Sequence, residues 1–306
     1  MERVTGRELS TRAVAPHGCG SRGTGYLAPM PADPVPTVTT RTRLLDDLRA
    51  LGLAGQDLVM VHSSLSNLGW VPGGEQTVLE VLREVVGPRT TLVMPTQSWD
   101  LCDPGYLNNP RFPEAVWDSL RDSLPVYDPA VTPSRTMGAV AELFRTLPGS
   151  VRSHHPHRSF AAQGPLAESV VAQHRLEDPM GHDGPLGVLY DGDANILMLG
   201  TTFGHCTALH LAEDHGRPPG RHLVTNGSAV MIDGTRRWRR WSEPWPSDDD
   251  FDEVGARFVE RGGVSVGSVG PALAHLVRMR PLVDFAAAWF VQHRDAERFG
   301  RDTTAW

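Results

Sequence analysis

The chain alternates between short apolar runs and segments whose apolar positions recur every three or four residues. Over 41–51, Leu44, Leu45, Leu48 and Leu51 fall on one side of a helix that Thr39 or Thr40 can cap. "DLVMVH" at 57–62 is short and almost wholly apolar, which reads as a strand buried on both faces. The loop "SSLSNLGWVPGG" follows, then "EQTVLEVLREVV", with Val78, Leu79, Leu82 and Val85 at helical spacing. A second buried strand, "TTLVMP", ends at Pro95. Strand, helix and strand in this order form a βαβ unit and predict a mainly parallel sheet.

The segment 96–135 is irregular and rich in Pro and Asp, as loops at the carboxyl ends of parallel strands often are where they shape a site. A helix is expected at "MGAVAELFRTL", a buried strand at "NILMLG" (195–200) and a helix over 206–214 that starts near Thr207. "HLVTNGSAVMIDGTRRWRRW" alternates on either side of Asp233-Gly234, which predicts an antiparallel hairpin with a tight turn. Three helices close the chain: "FDEVGARFVERGG", a stretch from Pro271 to Met279, and "PLVDFAAAWFVQHR". Residues 1–37 lack a sustained apolar period and read as a flexible extension. The expected fold is α/β, one domain over 38–306: a mainly parallel sheet flanked by helices, with an added antiparallel hairpin.

Composition narrows the chemistry. A formal charge of −7 lacks the basic face that a general nucleic-acid binder needs. All 29 basic residues are arginine. A Schiff-base lysine and a Walker-type phosphate loop are therefore excluded. The three cysteines (Cys19, Cys102, Cys206) cannot build a disulfide framework or a four-thiolate zinc site. No apolar run is long enough to span a bilayer, and a cytoplasmic protein without membrane partners is expected.

The stretch "TTFGHCTALHLAEDH" (201–215) concentrates histidine, cysteine and acid. At about 100° per residue, Glu213 and Asp214 lie one turn beyond His210, whereas His205 and His215 fall off its face. The i, i+4 histidine pair of a helical zinc site is absent, and no metal is expected. His210, just past a strand end, is placed to act as a base or to be a buried structural histidine. Cys206 near a helix start suits a thiolate or a small core residue. "HHPH" at 154–157 reads as a surface or pocket loop. "GVSVG" at 263–267 matches a nucleophile elbow only in letters, because a helix end rather than a strand is expected before Ser265. In "HSSLSNLGWVPGGEQ" (62–76), small hydroxyl residues and the pair Gly73-Gly74 open a helix, an arrangement that can cradle an anion or simply turn the chain.

Taken in order, "VHSSLSNLGWVPGG", "GPRTTLVMPT", "YDPAVTPSRTMGAVAELFRTLPGSVRSHHPHRSFAAQGP", "GPLGVLYDGDANILMLG" and "TALHLAED" resemble the aminoglycoside N-acetyltransferases that acylate the 3-amine of the deoxystreptamine ring. The resemblance runs from about residue 40 through "VDFAAAWF". It implies the α/β fold particular to that family and acetyl transfer from acetyl-CoA to an aminoglycoside amine. It also implies a catalytic His210, assisted by a carboxylate at "FDEV", where Asp252 and Glu253 stand side by side. For acetyl-CoA it implies a site at His62, Ser63, Ser64, Leu65 and Ser66 with the Gly73-Gly74 turn, joined by Arg152, Ser153 and Phe160.

On that reading His210 removes a proton from the incoming ammonium in a ternary complex, with Thr207 or nearby N–H groups facing the developing oxyanion. The acceptor is a polycation. Asp100, Asp103, Glu213, Asp214 and the run Asp248-Asp249-Asp250 are the candidates to hold its ammonium groups, Asp248 and Asp249 also reading as a solvated loop. Two other readings keep part of the pattern: acylation of another amine in an antibiotic pathway, and a drug-sequestering protein without catalysis. A homodimer is compatible with either.

Overall fold

The computed structural model describes residues 37–106 and 112–299. Apart from Thr37, the expected N-terminal extension lies outside the described residues.

Helix α1 (Arg41–Ala50) is capped by Thr40, whose side chain accepts a hydrogen bond from the Arg43 N–H. Thr39, one residue earlier, instead ties its hydroxyl to the Leu68 carbonyl. Next come β1 (Leu58–Ser63), α2 (Gly74–Val86) and β2 (Thr91–Pro95), the anticipated βαβ unit. A short α3 (Trp117–Ser123) interrupts the irregular segment before α4 (Gly138–Thr146). Strands β3 (Val151–Arg152) and β4 (Phe160–Gln163) then lead to α5 (Ala167–Val171), α6 (Pro185–Asp191) and β5 (Asn195–Leu199). Helix α7 (Leu209–Gly216) begins two residues later than the sequence suggests, after a 3-10 turn at Phe203–His205.

Strands β6 (Leu223–Ile232) and β7 (Thr235–Pro244) form a separate two-stranded hairpin. Its turn uses Asp233 and Gly234 at φ 48° and 72°, the two positive angles that a type I′ turn requires. Helix α8 (Phe251–Glu260), β8 (Val264–Val269), β9 (Ala272–Arg278), α9 (Met279–His293) and α10 (Ala296–Phe299) complete the described chain. The stretch from Pro271 to Met279 is thus a strand, not a helix. Its burial alternates, with Ala272, Ala274 and Leu276 on one face, because β9 pairs antiparallel with both β5 and β8. Ser265 sits within β8, so no strand–turn–helix elbow surrounds it.

The seven-stranded sheet runs β3-β4-β2-β1-β5-β9-β8. Its centre, β2-β1-β5, is parallel, and the flanking pairings are antiparallel. Period-2 alternation explains why the central strands read as unbroken apolar runs. Leu58, Met60, Ile196 and Met198 face one core with α7, α8 and α9. Val59, Val61, Leu197 and Leu199 face the other with α1, α2 and α4. The loops after β1 and β5 leave neighbouring strand ends and are tied together: Ser64 N–H donates to the Leu199 carbonyl at 3.0 Å, and Asn67 Nδ2 to the Gly200 carbonyl at 2.8 Å. Gly200 adopts φ +69°, and a Cβ there would crowd the Ser64 carbonyl at 3.2 Å.

Gly255 on α8 seats the ring of Phe203, since an added Cβ would lie 2.2 Å from Phe203 Cγ. Gly255→Ala should therefore overpack this contact and destabilise by about 2 kcal/mol despite alanine's better helix propensity. A denaturation midpoint equal to wild type would contradict that packing.

Candidate active site

A cleft of about 580 Å³ opens where the loops after β1, β2 and β5 converge, the expected place for a ligand on an open α/β sheet. His62 to Asn67 line it from β1; Pro95, Gln97 and Trp99 from β2; Thr201, Thr202 and Gly204 to Thr207 from β5. The start of α4 adds Thr136 to Ala139, and the segment after β7 adds Trp245, Pro246 and Asp248. Arg158, Tyr106 and His210 complete the walls.

His210 stands on the first turn of α7. Its Nδ1 lies 2.8 Å from Glu213 Oε2, a contact that the i, i+3 spacing on one helix face permits. Phe251 flanks the imidazole at 4.8 Å between ring centroids. Glu213 is buried, and its other oxygen accepts from Arg294 Nη1 at 2.5 Å and from the Ser247 N–H at 3.2 Å. Burial alone would raise the Glu213 pKa. The His210 hydrogen bond and the Arg294 charge outweigh it and hold the carboxyl below its ordinary range. Arg294 in turn grips Asp250 with two bonds, Nε to Oδ2 at 2.8 Å and Nη2 to Oδ1 at 2.7 Å, and lies 3.8 Å over the Phe290 ring. With Nδ1 engaged, Nε2 is the ring nitrogen left for chemistry.

Behind the cleft is a second polar layer. The Arg158 guanidinium is buried, 4.2 Å over the Trp99 ring, bonded to the Tyr106 hydroxyl at 2.6 Å and paired with buried Glu243 at 3.6 Å. His155 Nδ1 accepts from the N–H groups of His157 and Arg158, and His157 Nε2 contacts the Leu101 carbonyl. "HHPH" is therefore an interior brace at His155 and His157, not a surface loop. Among the described residues, no three His, Cys, Asp or Glu side chains are grouped to hold a metal ion. Burial pushes the Cys206 thiol up to about 12, so it stays protonated and is no nucleophile.

The structure sorts the expected site residues by location. His62, Ser63, Ser64, Leu65, Ser66, Thr207 and His210 meet at the cleft. Glu213 pairs with His210, the place that the resemblance gives to Asp252 or Glu253, and also lines the small recess behind it. Asp252 turns back on the Thr202 hydroxyl (3.2 Å) and the Gly204 N–H (2.6 Å), and Glu253 is exposed. Gly73 and Gly74, both at positive φ, shape the entry to α2 and are not among the residues that line the cleft. Arg152, Ser153 and Phe160 are buried off the cleft; Arg152 spends its donors on loop carbonyls and on Thr96, Ser98 and Ser159. Asp100 pairs with Arg135, Asp103 with Arg121 and Asp214 with Arg221. Asp214 lines a small recess behind His210 together with Asp178 and Trp245. Asp250, from the acidic run expected to meet the acceptor, is instead buried on Arg294, and Arg294, Arg158 and Trp245 have no local pattern that marks them. Only pairing across distant segments does.

A histidine–carboxylate pair on a cleft built from three strand ends defines an α/β protein equipped for proton transfer. The model of the family described as aminoglycoside 3-N-acetyltransferase matches residues 60–291. Aminoglycoside N(3)-acetyltransferase VII of Streptomyces paromomycinus is 38% identical over 273 residues, which covers 85% of this chain and 94% of that protein. The aminoglycoside N(3')-acetyltransferase-like protein YokD of Bacillus subtilis is 40% identical over 83% of this chain and 93% of its own. The YokD crystal structure superposes with a TM-score of 0.79. The structure of AAC-IIIb in binary complex with CoASH superposes at 0.74, is 29% identical, and is covered to 97% by 83% of this chain. This chain belongs to the aminoglycoside 3-N-acetyltransferase family.

Four buried histidines make the fold acid-sensitive. Burial depresses His62 and His157 to about 3 and His174 to about 4, and His155 falls well below its ordinary 6.5. The unfolded chain takes up their protons below pH 6.5 while the folded chain stays unprotonated there, so stability falls as pH falls from 6.5 toward 4. Each such histidine contributes ~1.4 kcal/mol per pH unit to that slope. Chemical denaturation between pH 7.5 and 5 measures it, and His157→Gln should flatten the slope by about one proton.

Proposed function

We propose that this protein transfers acetyl from acetyl-CoA to the 3-amine of aminoglycoside antibiotics, with His210 as general base in a ternary complex. The observation that carries this reading is His210 itself: held through Nδ1 by Glu213, it lines a cleft bordered by the Ser64–Ser66 loop, in a chain of this family. The no-lysine composition also removes a lysine base or nucleophile from consideration.

The acceptor arrives as an ammonium. His210 Nε2 takes its proton, and the freed lone pair attacks the thioester carbonyl carbon. Charge builds on the carbonyl oxygen, where Thr207 and the N–H groups ahead of α7 are the proposed donors. The C–S bond then breaks, the attacking nitrogen gives its second proton to the departing CoA thiolate as the amide forms, and His210 returns its proton to solvent. Glu213 keeps the imidazole in the tautomer that presents Nε2 as acceptor and stabilises the imidazolium. Nothing in this route needs an acyl-enzyme, because placing both substrates in one cleft supplies much of the rate. Asp248 on the cleft wall and Asp178 in the recess behind His210 are the proposed anchors for the acceptor's other ammonium groups.

Aminoglycoside-dependent thiol release from acetyl-CoA tests the assignment. His210→Ala should lower kcat by about 10²–10⁴, the usual worth of a positioned general base. Asp248→Asn should raise the KM for the drug and leave that for acetyl-CoA unchanged. If no aminoglycoside elicits thiol release from the wild type, the acetyltransferase reading fails.

A further inference from the structure

We propose that Arg294 is a positioning residue for the transfer: by gripping Glu213 and Asp250 with one guanidinium, it fixes the orientation of Glu213 and the charge that His210 meets. This rests on the reading of His210 as base. Arg294 lies outside the segment 60–291 that matches the family model.

The geometry is specific. Arg294 Nη1 bonds Glu213 Oε1, leaving Oε2 for His210 Nδ1. Its Nε and Nη2 form a fork on Asp250, and Nη2 also donates to the Ser247 carbonyl at 3.1 Å. The side chain is only 3% exposed, and its guanidinium lies between the rings of Phe290 and Phe299 at 3.8 and 4.7 Å. One residue therefore ties together the end of α9, the residue that opens α8, the chain that carries the Trp245–Asp248 wall, and the partner of the base. A lysine could supply the charge but not four directed bonds.

The charge count has a direction. Two buried carboxylates face one guanidinium, so the cluster carries a net negative charge beside His210. Removing the Asp250 charge leaves Arg294 less neutralised and disfavours the imidazolium. Removing the Arg294 charge does the opposite. The other charged and titratable groups that line the cleft with His210 are Asp248, Arg158, Tyr106, Cys206, His62 and His205, and those of the recess are Asp178, Asp214 and Arg221. None of these is altered by the two substitutions.

The experiment is the pH profile of kcat/KM for the acceptor in wild type, Asp250→Asn, Arg294→Met and Arg294→Lys, with unfolding midpoints measured alongside. The acid limb should move to lower pH in Asp250→Asn and to higher pH in Arg294→Met. Arg294→Lys should keep the limb close to wild type and lose about tenfold in kcat with little change in KM, because the charge remains and the alignment does not. Limbs that stay in place or shift in the same direction, with activity falling only in step with stability, would reduce Arg294 to a structural tie and overturn the proposal. If Arg294→Met does not fold, the Asp250→Asn limb decides alone: no shift to lower pH rejects it. Loss of drug-dependent activity in the wild type would instead reject the parent reading.

Discussion

Everything at this site depends on keeping one carboxylate charged inside the protein. Glu213 is buried, and a lone buried carboxylate would protonate rather than bear the cost of lost hydration. It remains ionised because His210, Arg294 and the Ser247 N–H occupy its oxygens. Leaving one partner of such a cluster uncompensated typically costs several kcal/mol, so the members are interdependent rather than additive. The arrangement is less a stabilising device than a specific one, since an apolar trio could pack the same space. Only the charged version orients the His210 imidazole through Nδ1.

The sheet makes this economical. Parallel β1 and β5 are neighbours, and their exits are bonded to each other by backbone and by the Asn67 side chain, so the cleft floor is fixed close to the sheet. Helix α7 follows β5 after a short turn and places His210 at the rim without a long excursion. Asp252, although not a partner of the base, still acts on the site: its bonds to Thr202 and Gly204 hold the turn that leads into α7.

Parts of this were legible in the residues alone. Strands β1, β2 and β5 announce themselves because both faces are covered, and the β6–β7 hairpin because Asp233-Gly234 leaves few turn types open. The proximity of Glu213 to His210 follows from helix geometry. Which partners it takes does not, since an acid on that turn can equally point outward, and the burial of Glu213 is visible only in the structure. β9 was misread because seven residues carry too little period to outweigh two partner strands. No local pattern shows Arg294 or its pairing with Asp250: 44 residues separate these two, and 81 separate Arg294 from Glu213. Arg152 is an expected ligand contact through the resemblance alone, and its bonds to Thr96, Ser159 and the Thr132 carbonyl come from segments that no local pattern joins to it.

The distance of Arg294 from the rest of the site also has a temporal side. A ribosome releases the chain from its amino end, and strands β1 to β5 and helix α7 are available before the residue that neutralises Glu213. Until Arg294 arrives, the interior holds two acids with no matching cation, and α7 has little reason to settle with Glu213 inward. The cation of this cluster is thus the last of its members to be made, after every strand of the sheet.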